Sequence, residues 1–458
     1  MTLKKNDIIK LKITGISSDG VGIGRAENGM AVFTPLTAIG DTAAVKIVKV
    51  SKKLAFGRLE EIFSPSPDRI DTDCPVFNRC GGCSMRHISY ERELEIKSNR
   101  VFEDIRRIGK TDIPPQPILY STPDRYRNKA QFPVSVDGDV GFFARRSHRI
   151  IPCSDCLLQP EIFAKAAHTV SRWIRENNIS IYDETEHSGL LRHLYLRIAA
   201  ATDEIMVVLV INGNLLPFSK SLIERLREAL GNSLKSVQLN INKSDTNVIL
   251  GDKCVTLYGD DRITDILCGI KVKISALSFY QVNRTMAELL YKKAACYAQP
   301  DGAEILDLYC GTGTIGLSMA SRAKSVIGVE IVESAVNDAI ENARINNIEN
   351  SRFICGDAAQ AAKRLKAEKN HPDVVILDPP RKGCSDELLN TVCNDFSPKR
   401  IVYISCDPAT LARDTVILSA NGYNLAEYTP ADLFPRTSHV ETAALFVKAK
   451  QKQAFGII

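Results

Sequence analysis

Short apolar runs interrupted by polar positions recur through the first sixty residues: Ile8–Ile13, Met30–Phe33, Ala43–Val50 and Leu54–Ile62. Runs of this length and composition predict strands. Glycine-rich turns separate them, Ser18-Asp19-Gly20-Val21-Gly22-Ile23-Gly24 above all, so the spacing predicts a small β-barrel over residues 1–62. Ser64-Pro65-Ser66-Pro67 marks a boundary. The stretch 70–265 reads as one central α+β unit. Its first half is marked by cysteines; its second holds a helix near Ile162–Asn177 and strands at Tyr195–Ala199, Ile205–Ile211 and Ser236–Ile241.

From about residue 270 the pattern changes. Helix Arg284–Ala298 leads into strand Glu304–Tyr309, a glycine loop, helix Gly316–Ala323, strand Ser325–Glu330 and helix Glu333–Asn346. Strands Arg352–Cys355, Val374–Leu377 and Arg400–Ser405 follow. Alternating strands and helices predict a parallel sheet covered on both faces, an α/β domain over 270–458. Tyr423–Tyr428 and Glu441–Val447 lie too close for a helix between them, so an antiparallel hairpin closes the chain.

A chain of 458 residues exceeds what one core fills, which agrees with three units. The balance of 44% hydrophobic and 25% charged residues is that of a water-soluble globular protein. A net charge of +5 is compatible with a polyanionic partner without demanding one. The opening MTLKKNDIIKLKITG has no apolar leader, and no run is long enough to cross a bilayer; a cytoplasmic protein with no membrane contact is expected. In such a compartment its 13 cysteines are thiols, metal ligands or catalytic groups, not disulfides.

Three places carry chemistry. At the first, strand Ile305–Leu308 runs into Tyr309-Cys310-Gly311-Thr312-Gly313-Thr314-Ile315-Gly316. Gly311 and Gly313 let a ligand approach the backbone where a Cβ would intrude. Glu330 ends the next strand, about 20 residues on, where a carboxylate accepts hydrogen bonds from both hydroxyls of a ribose. The glycine spacing also fits a nicotinamide dinucleotide. However, Asp307 with Tyr309-Cys310 resembles the D-x-x-C-G-x-G motif of class I methyltransferases, and Asp357 is then placed to meet an adenine amino group. The plainer reading of Asp357 is a helix cap.

At the second place, Val374–Leu377 ends in Asp378-Pro379-Pro380-Arg381, and Arg400–Ser405 ends in Cys406-Asp407-Pro408. Both ends fall on the ligand-bearing edge of such a sheet. A thiol at the start of a helix is expected to have a lowered pKa and to serve as a nucleophile. Carbon 5 of uracil is a poor nucleophile until a thiolate adds to carbon 6, and a base must afterwards remove its proton; Glu441 is the candidate base.

The runs Ser405–Asp414, Asp378–Arg381 and His439-Val440-Glu441-Thr442 together resemble the RNA uracil-5-methyltransferase family. The resemblance implies a class I, Rossmann-like methyltransferase domain using S-adenosyl-L-methionine, with Cys406 as nucleophile, Glu441 as base and Asp378 facing the target base. Phe279-Tyr280-Gln281-Val282-Asn283 is similar to the segment whose glutamine, here Gln281, contacts the cofactor. By the same match Tyr309, Glu330 and Asp378 line the cofactor and uracil pocket. The family commonly has Asn where this chain has Asp407, whose carboxylate is expected to raise the Cys406 thiol slightly.

The third place is Cys74 with Cys80-Gly81-Gly82-Cys83, three thiols in one short stretch. Cys153 or Cys156 could complete a four-thiol site for zinc or an iron–sulfur centre. The resemblance implies a [4Fe-4S] cluster held by Cys74, Cys80, Cys83 and Cys156, with a structural role.

Residues 1–60 resemble the TRAM domain, an RNA-binding, OB-like barrel. Arg125–Lys129 and Phe142–Arg149 interleave cations with aromatics, as phosphate binding and base stacking require. The expectation is C5 methylation of a 23S ribosomal RNA uridine with no obligate protein partner. A tRNA T-loop uridine is the nearest alternative. An amino-group methyltransferase would need no cysteine, and a noncatalytic RNA-binding iron–sulfur protein would need neither Cys406 nor Glu441.

Overall fold

The computed structural model describes residues 3–153 and 155–449. Strands β1 (Ile8–Ile16), β2 (Gly22–Arg25), β3 (Ala31–Thr34), β4 (Thr42–Val50) and β5 (Leu54–Ser64) close into a barrel in the order β1-β2-β3-β5-β4. Strand β2 lies inside the run read as a turn. Its glycines serve packing: a Cβ on Gly22 would stand 1.9 Å from Thr37 Oγ1, and one on Gly24 2.5 Å from the Lys12 carbonyl oxygen. Only Gly20, at φ +74°, makes the turn.

Helix α1 (Tyr90–Arg107) follows, its N-terminus capped by Ser89. The helix has no clean apolar stripe in the sequence, because its buried face mixes Glu93 and Lys97 with Leu94, Val101 and Ile105. Val101 and Ile105 pack into the core of the C-terminal sheet rather than the central one.

The central stretch holds β6 (Lys129–Pro133), the hairpin β7 (Gly141–Phe143) and β8 (Ile150–Pro152), and α2 (Glu161–Glu176). Then come β9 (Leu191–Ala199), β10 (Glu204–Ile211), α3 (Ser219–Leu230), β11 (Leu234–Ile241) and β12 (Lys253–Gly259). The sheet runs β12-β11-β10-β9-β6. Helices α2 and α3 cover one face. Tyr195, Met206, Val208 and Val210 on the other face share a core with the hairpin β13 (Ile263–Leu267) and β14 (Ile270–Ile274) and with the C-terminal sheet.

That last sheet is built from α4 (Arg284–Ala298), β15 (Glu304–Leu308), α5 (Thr314–Met319), β16 (Ser325–Glu330), α6 (Glu333–Ile345), β17 (Ser351–Cys355) and α7 (Ala358–Ala367). It continues with β18 (Val374–Leu377), α8 (Asp386–Asn390), β19 (Arg400–Ser405), α9 (Pro408–Ala420), β20 (Tyr423–Ala431) and β21 (Glu441–Lys448). The order is β17-β16-β15-β18-β19-β21-β20, with β17 to β19 parallel. The expected terminal hairpin is present, but β21 inserts between β19 and β20 and runs antiparallel to both. Ser405 pairs with Thr442, so one more step of that register brings Cys406 opposite Glu441. Among the described residues no helix is long and apolar enough to cross a membrane.

Candidate active site

The carboxyl ends of β15, β16, β18 and β19 and the start of β21 open onto one cleft of about 1560 Å³. Gln281, Tyr309, Gly311, Glu330, Asp357, Asp378, Cys406 and Glu441 all line it, so the structure brings these expected residues together. Gly313 stands apart in role. A Cβ there would press on Phe353 at 2.9 Å, which makes it a packing glycine, whereas a Cβ on Gly311 would meet open space.

Tyr309 turns the chain out of β15 with φ 64°, a left-handed conformation rare for a bulky residue. The turn aims the Gly311 amide at Glu330, whose two carboxylate oxygens accept from Gly311 N at 3.0 Å and Val332 N at 2.9 Å. The carboxylate is thereby fixed at the cleft rim, each oxygen keeping a further lone pair free to accept. Asp357 does cap α7, accepting from Ala359 N and Gln360 N on one oxygen, and it also lines the cleft. Asp307 accepts the Gly316 amide at 2.9 Å, its other oxygen has no partner, and burial pushes it up to about 7. The buried Tyr291 phenol interacts with Thr314 and Gln281 beneath the pocket. An open backbone at Gly311 and an anchored Glu330 fit the polar end of a nucleoside-bearing methyl donor.

The other wall holds Cys406, Glu441 and Asp378. The Cys406 thiol is pushed up to about 11, by burial first and then by Glu441 and Asp378, against Arg381. This corrects the expectation that the helix start would lower it: desolvation and two carboxylates outweigh the partial charge of the helix end. The Asp407 carboxylate is occupied as the cap of α9, accepting the Thr410 amide at 2.9 Å. Burial raises Glu441 to about 8, helped by Asp378 and opposed by Arg381. Asp378 itself is raised to about 7 by burial. These three acids crowd one point, which separates their protonation states from those of free side chains.

Arg381 and Asp414 lie inside the sequence motifs, but nothing in their spacing signals a role. Arg381 is the cation that opposes the raised pKa of both Cys406 and Glu441, and it approaches His439 Nδ1 at 3.5 Å. The fully buried Asp414 accepts from Tyr403 Oη at 2.7 Å, Cys384 N at 3.1 Å and Arg413 Nε at 2.8 Å, and so ties α9 to the loop after β18.

Cys74, Cys80, Cys83, Cys153 and Cys156 lie within electrostatic reach of one another. Burial and the neighbouring thiols push Cys83 up to about 12, and the Cys153 thiol donates a hydrogen bond to Cys156, the sulfur preferred to it from sequence. Among the described residues no three Cys, His, Asp or Glu side chains form a group that could hold a metal ion, so the four expected ligands do not make a closed single-metal site. Gly81, Gly82 and Ser84 of this loop, and Asp19 of the barrel, line the same cleft.

The basic aromatic stretches are more structural than expected. Arg125 is held by Asp155 at 2.5 and 2.8 Å, Tyr126 Oη donates to Pro435 O, and Asn128 Nδ2 donates to Gln281 O. Arg145 lies over the Phe77 ring and donates to the Cys83 carbonyl. Of the first stretch, Arg127 faces the cleft.

A family model described as tRNA (Uracil-5-)-methyltransferase matches residues 89–449, and a TRAM-domain model matches residues 3–59. An RNA methyltransferase of Halalkalibacterium halodurans is 44% identical over 449 residues, 97% of each chain. One of Clostridium tetani is 42% identical over 448 residues, again 97% of each. The crystal structure of the Pyrococcus abyssi tRNA (uracil-54, C5)-methyltransferase with S-adenosyl-L-homocysteine is 27% identical; the match covers 96% of this chain and 99% of that one with a TM-score of 0.78. An anchored carboxylate at the cleft rim, a cleft-facing cysteine opposite a glutamate, and these full-length likenesses converge: the chain belongs to the tRNA (uracil-5-)-methyltransferase family and is an S-adenosylmethionine-dependent RNA methyltransferase with an N-terminal TRAM domain.

Proposed function

We propose that the protein methylates carbon 5 of a 23S ribosomal RNA uridine in the cytoplasm through a covalent adduct with Cys406. The observation that carries this reading is the facing of Cys406 and Glu441 across adjacent strands, beside Asp378, in the cleft that holds Glu330. The Cys406 thiol gives its proton to Asp378, and Sγ adds to carbon 6, pushing the ring electrons onto the carbonyl oxygen at carbon 4, so that Glu441 stays free for the later step. Bound S-adenosylmethionine would supply an electrophilic methyl group to carbon 5 and leave as S-adenosylhomocysteine. Glu441 then removes the proton from carbon 5, the carbon 5–carbon 6 double bond re-forms, and Sγ leaves. A carboxylate with a raised pKa is the stronger base for that step. Asp378 and Arg381 flank the ring and hold its polar edge. The target base must leave its stack to reach Sγ, which favours an unpaired uridine.

The test uses bulk ribosomal RNA and tRNA from cells lacking this protein, with a tritiated-methyl donor and nucleoside identification. Labelled 5-methyluridine in 23S RNA is expected. Label confined to tRNA, the substrate class of the solved Pyrococcus abyssi relative, would keep the chemistry and overturn the ribosomal assignment.

The cysteine loop supports a second part of this reading, a [4Fe-4S] cluster on Cys74, Cys80, Cys83 and Cys156. Five thiols gathered beside Arg86, Arg127 and Arg145 form a soft, cation-flanked donor set. Protein purified without oxygen is expected to be brown, with about four irons per chain; one zinc per chain would overturn the assignment.

A further inference from the structure

The segment 432–440 joins β20 to β21 and delivers Glu441. Its backbone is held by residues more than three hundred positions earlier in the chain. Lys97 of α1, 1% exposed, donates from Nζ to Glu93 Oε1 at 2.7 Å, Asp432 Oδ1 at 2.6 Å and the Phe434 carbonyl at 3.2 Å. Tyr90 Oη donates to the other oxygen of Asp432 at 2.9 Å. Glu93 Oε1 also accepts the Arg436 amide at 2.7 Å. Arg436 stands at φ 67°, and its carbonyl accepts two amides of the cysteine loop, Ser84 at 2.9 Å and Met85 at 3.1 Å. Tyr126 Oη reaches the Pro435 carbonyl at 3.1 Å.

Such a network is a poor way to gain stability. Two fully buried carboxylates and an ammonium are matched or bettered by apolar side chains of similar volume. What a buried ionic network supplies instead is a single allowed arrangement, and a left-handed arginine persists only where its surroundings over-determine it. Here both devices sit in the segment that ends on Glu441. We infer that Lys97, through Glu93 and Asp432, is a positioning residue that fixes this segment so that Glu441 meets the proton on carbon 5. The inference rests on Glu441 being the base.

Lys97→Met removes the charge and keeps the length of the side chain; Tyr126→Phe removes one hydrogen bond and little else. Both are compared with wild type and Glu441→Gln for the lifetime of the covalent RNA adduct under single-turnover conditions, and for donor affinity. Lys97→Met is expected to lengthen the adduct lifetime about 10- to 100-fold, and Tyr126→Phe about 3-fold, the sensitivity typical of a reacting group shifted by a fraction of an ångström. Donor affinity should stay within about 2-fold, since the pocket walls that bind it are untouched. A purely structural role would lower the folded fraction without changing the adduct lifetime per active molecule. If Lys97→Met does not fold, Tyr126→Phe decides alone. A lasting adduct in Glu441→Gln with wild-type lifetimes in the other variants overturns the positioning role only. No adduct in Glu441→Gln overturns the base assignment and this inference with it.

Discussion

Glu441→Gln protein given RNA and S-adenosylmethionine is expected to accumulate an RNA–protein adduct that survives a denaturing gel, while turnover falls by about 10²- to 10⁴-fold, the usual worth of a positioned base. The substitution keeps the shape at the head of β21 and removes a charge. That charge is one of the two that hold the Cys406 thiol up, so attack on carbon 6 is not impaired and only the exit step is lost. The pH dependence has a definite sign. An acid raised by burial is protonated, and useless as a base, below its folded pKa. With Asp378 at about 7 and Glu441 at about 8, wild-type turnover should climb as pH rises from 6 to 8. A rate that falls over that interval would contradict the role given to Glu441.

Cys406→Ala is expected to abolish turnover, by on the order of a million-fold, as removal of an activated nucleophile does elsewhere. Donor affinity should be nearly unchanged, because Glu330 and Gly311 stand on β16 and the loop after β15, away from Cys406. The variant separates this chemistry from amino-group methylation, in which an aspartate and prolines at the end of β18 suffice and no thiol takes part. The alanine also removes a half-buried thiol that Glu441 and Asp378 disfavour as thiolate, so folding should not suffer. Methylation persisting within ten-fold of wild type, roughly what a 1.4 kcal/mol loss would give, would refute the covalent route.

The catalytic sheet was legible because its strands are short apolar runs that each end on a chemically marked residue. Val374–Leu377 and Arg400–Ser405 have the expected bounds to the residue. Strand β2 was hidden because Gly22 and Gly24 carry a turn signature, while their actual service is to let β1 and the Thr37 side chain pass close. Helix α1 was hidden because Glu93 and Lys97 look solvated until Asp432 is placed beside them, and nothing local announces a partner 335 positions away. The same distance effect explains Cys406. A strand end followed by a helix lowers a thiol in isolation, but the insertion of β21 beside β19 brings in Glu441, and burial does the rest. Likewise the cations at Arg125 and Arg145 look free in the sequence until Asp155 and the Cys83 carbonyl are set against them.

The covalent route through Cys406 is tested most directly by mapping the trapped adduct. Glu441→Gln protein is reacted with RNA and methyl donor, digested with nuclease and trypsin, and analysed by mass spectrometry. The tryptic peptide Ile401–Arg413 is expected to carry one uridine nucleotide bearing one added methyl, attached at Cys406. An adduct on any other residue, or methylated RNA with this peptide unmodified, would contradict it.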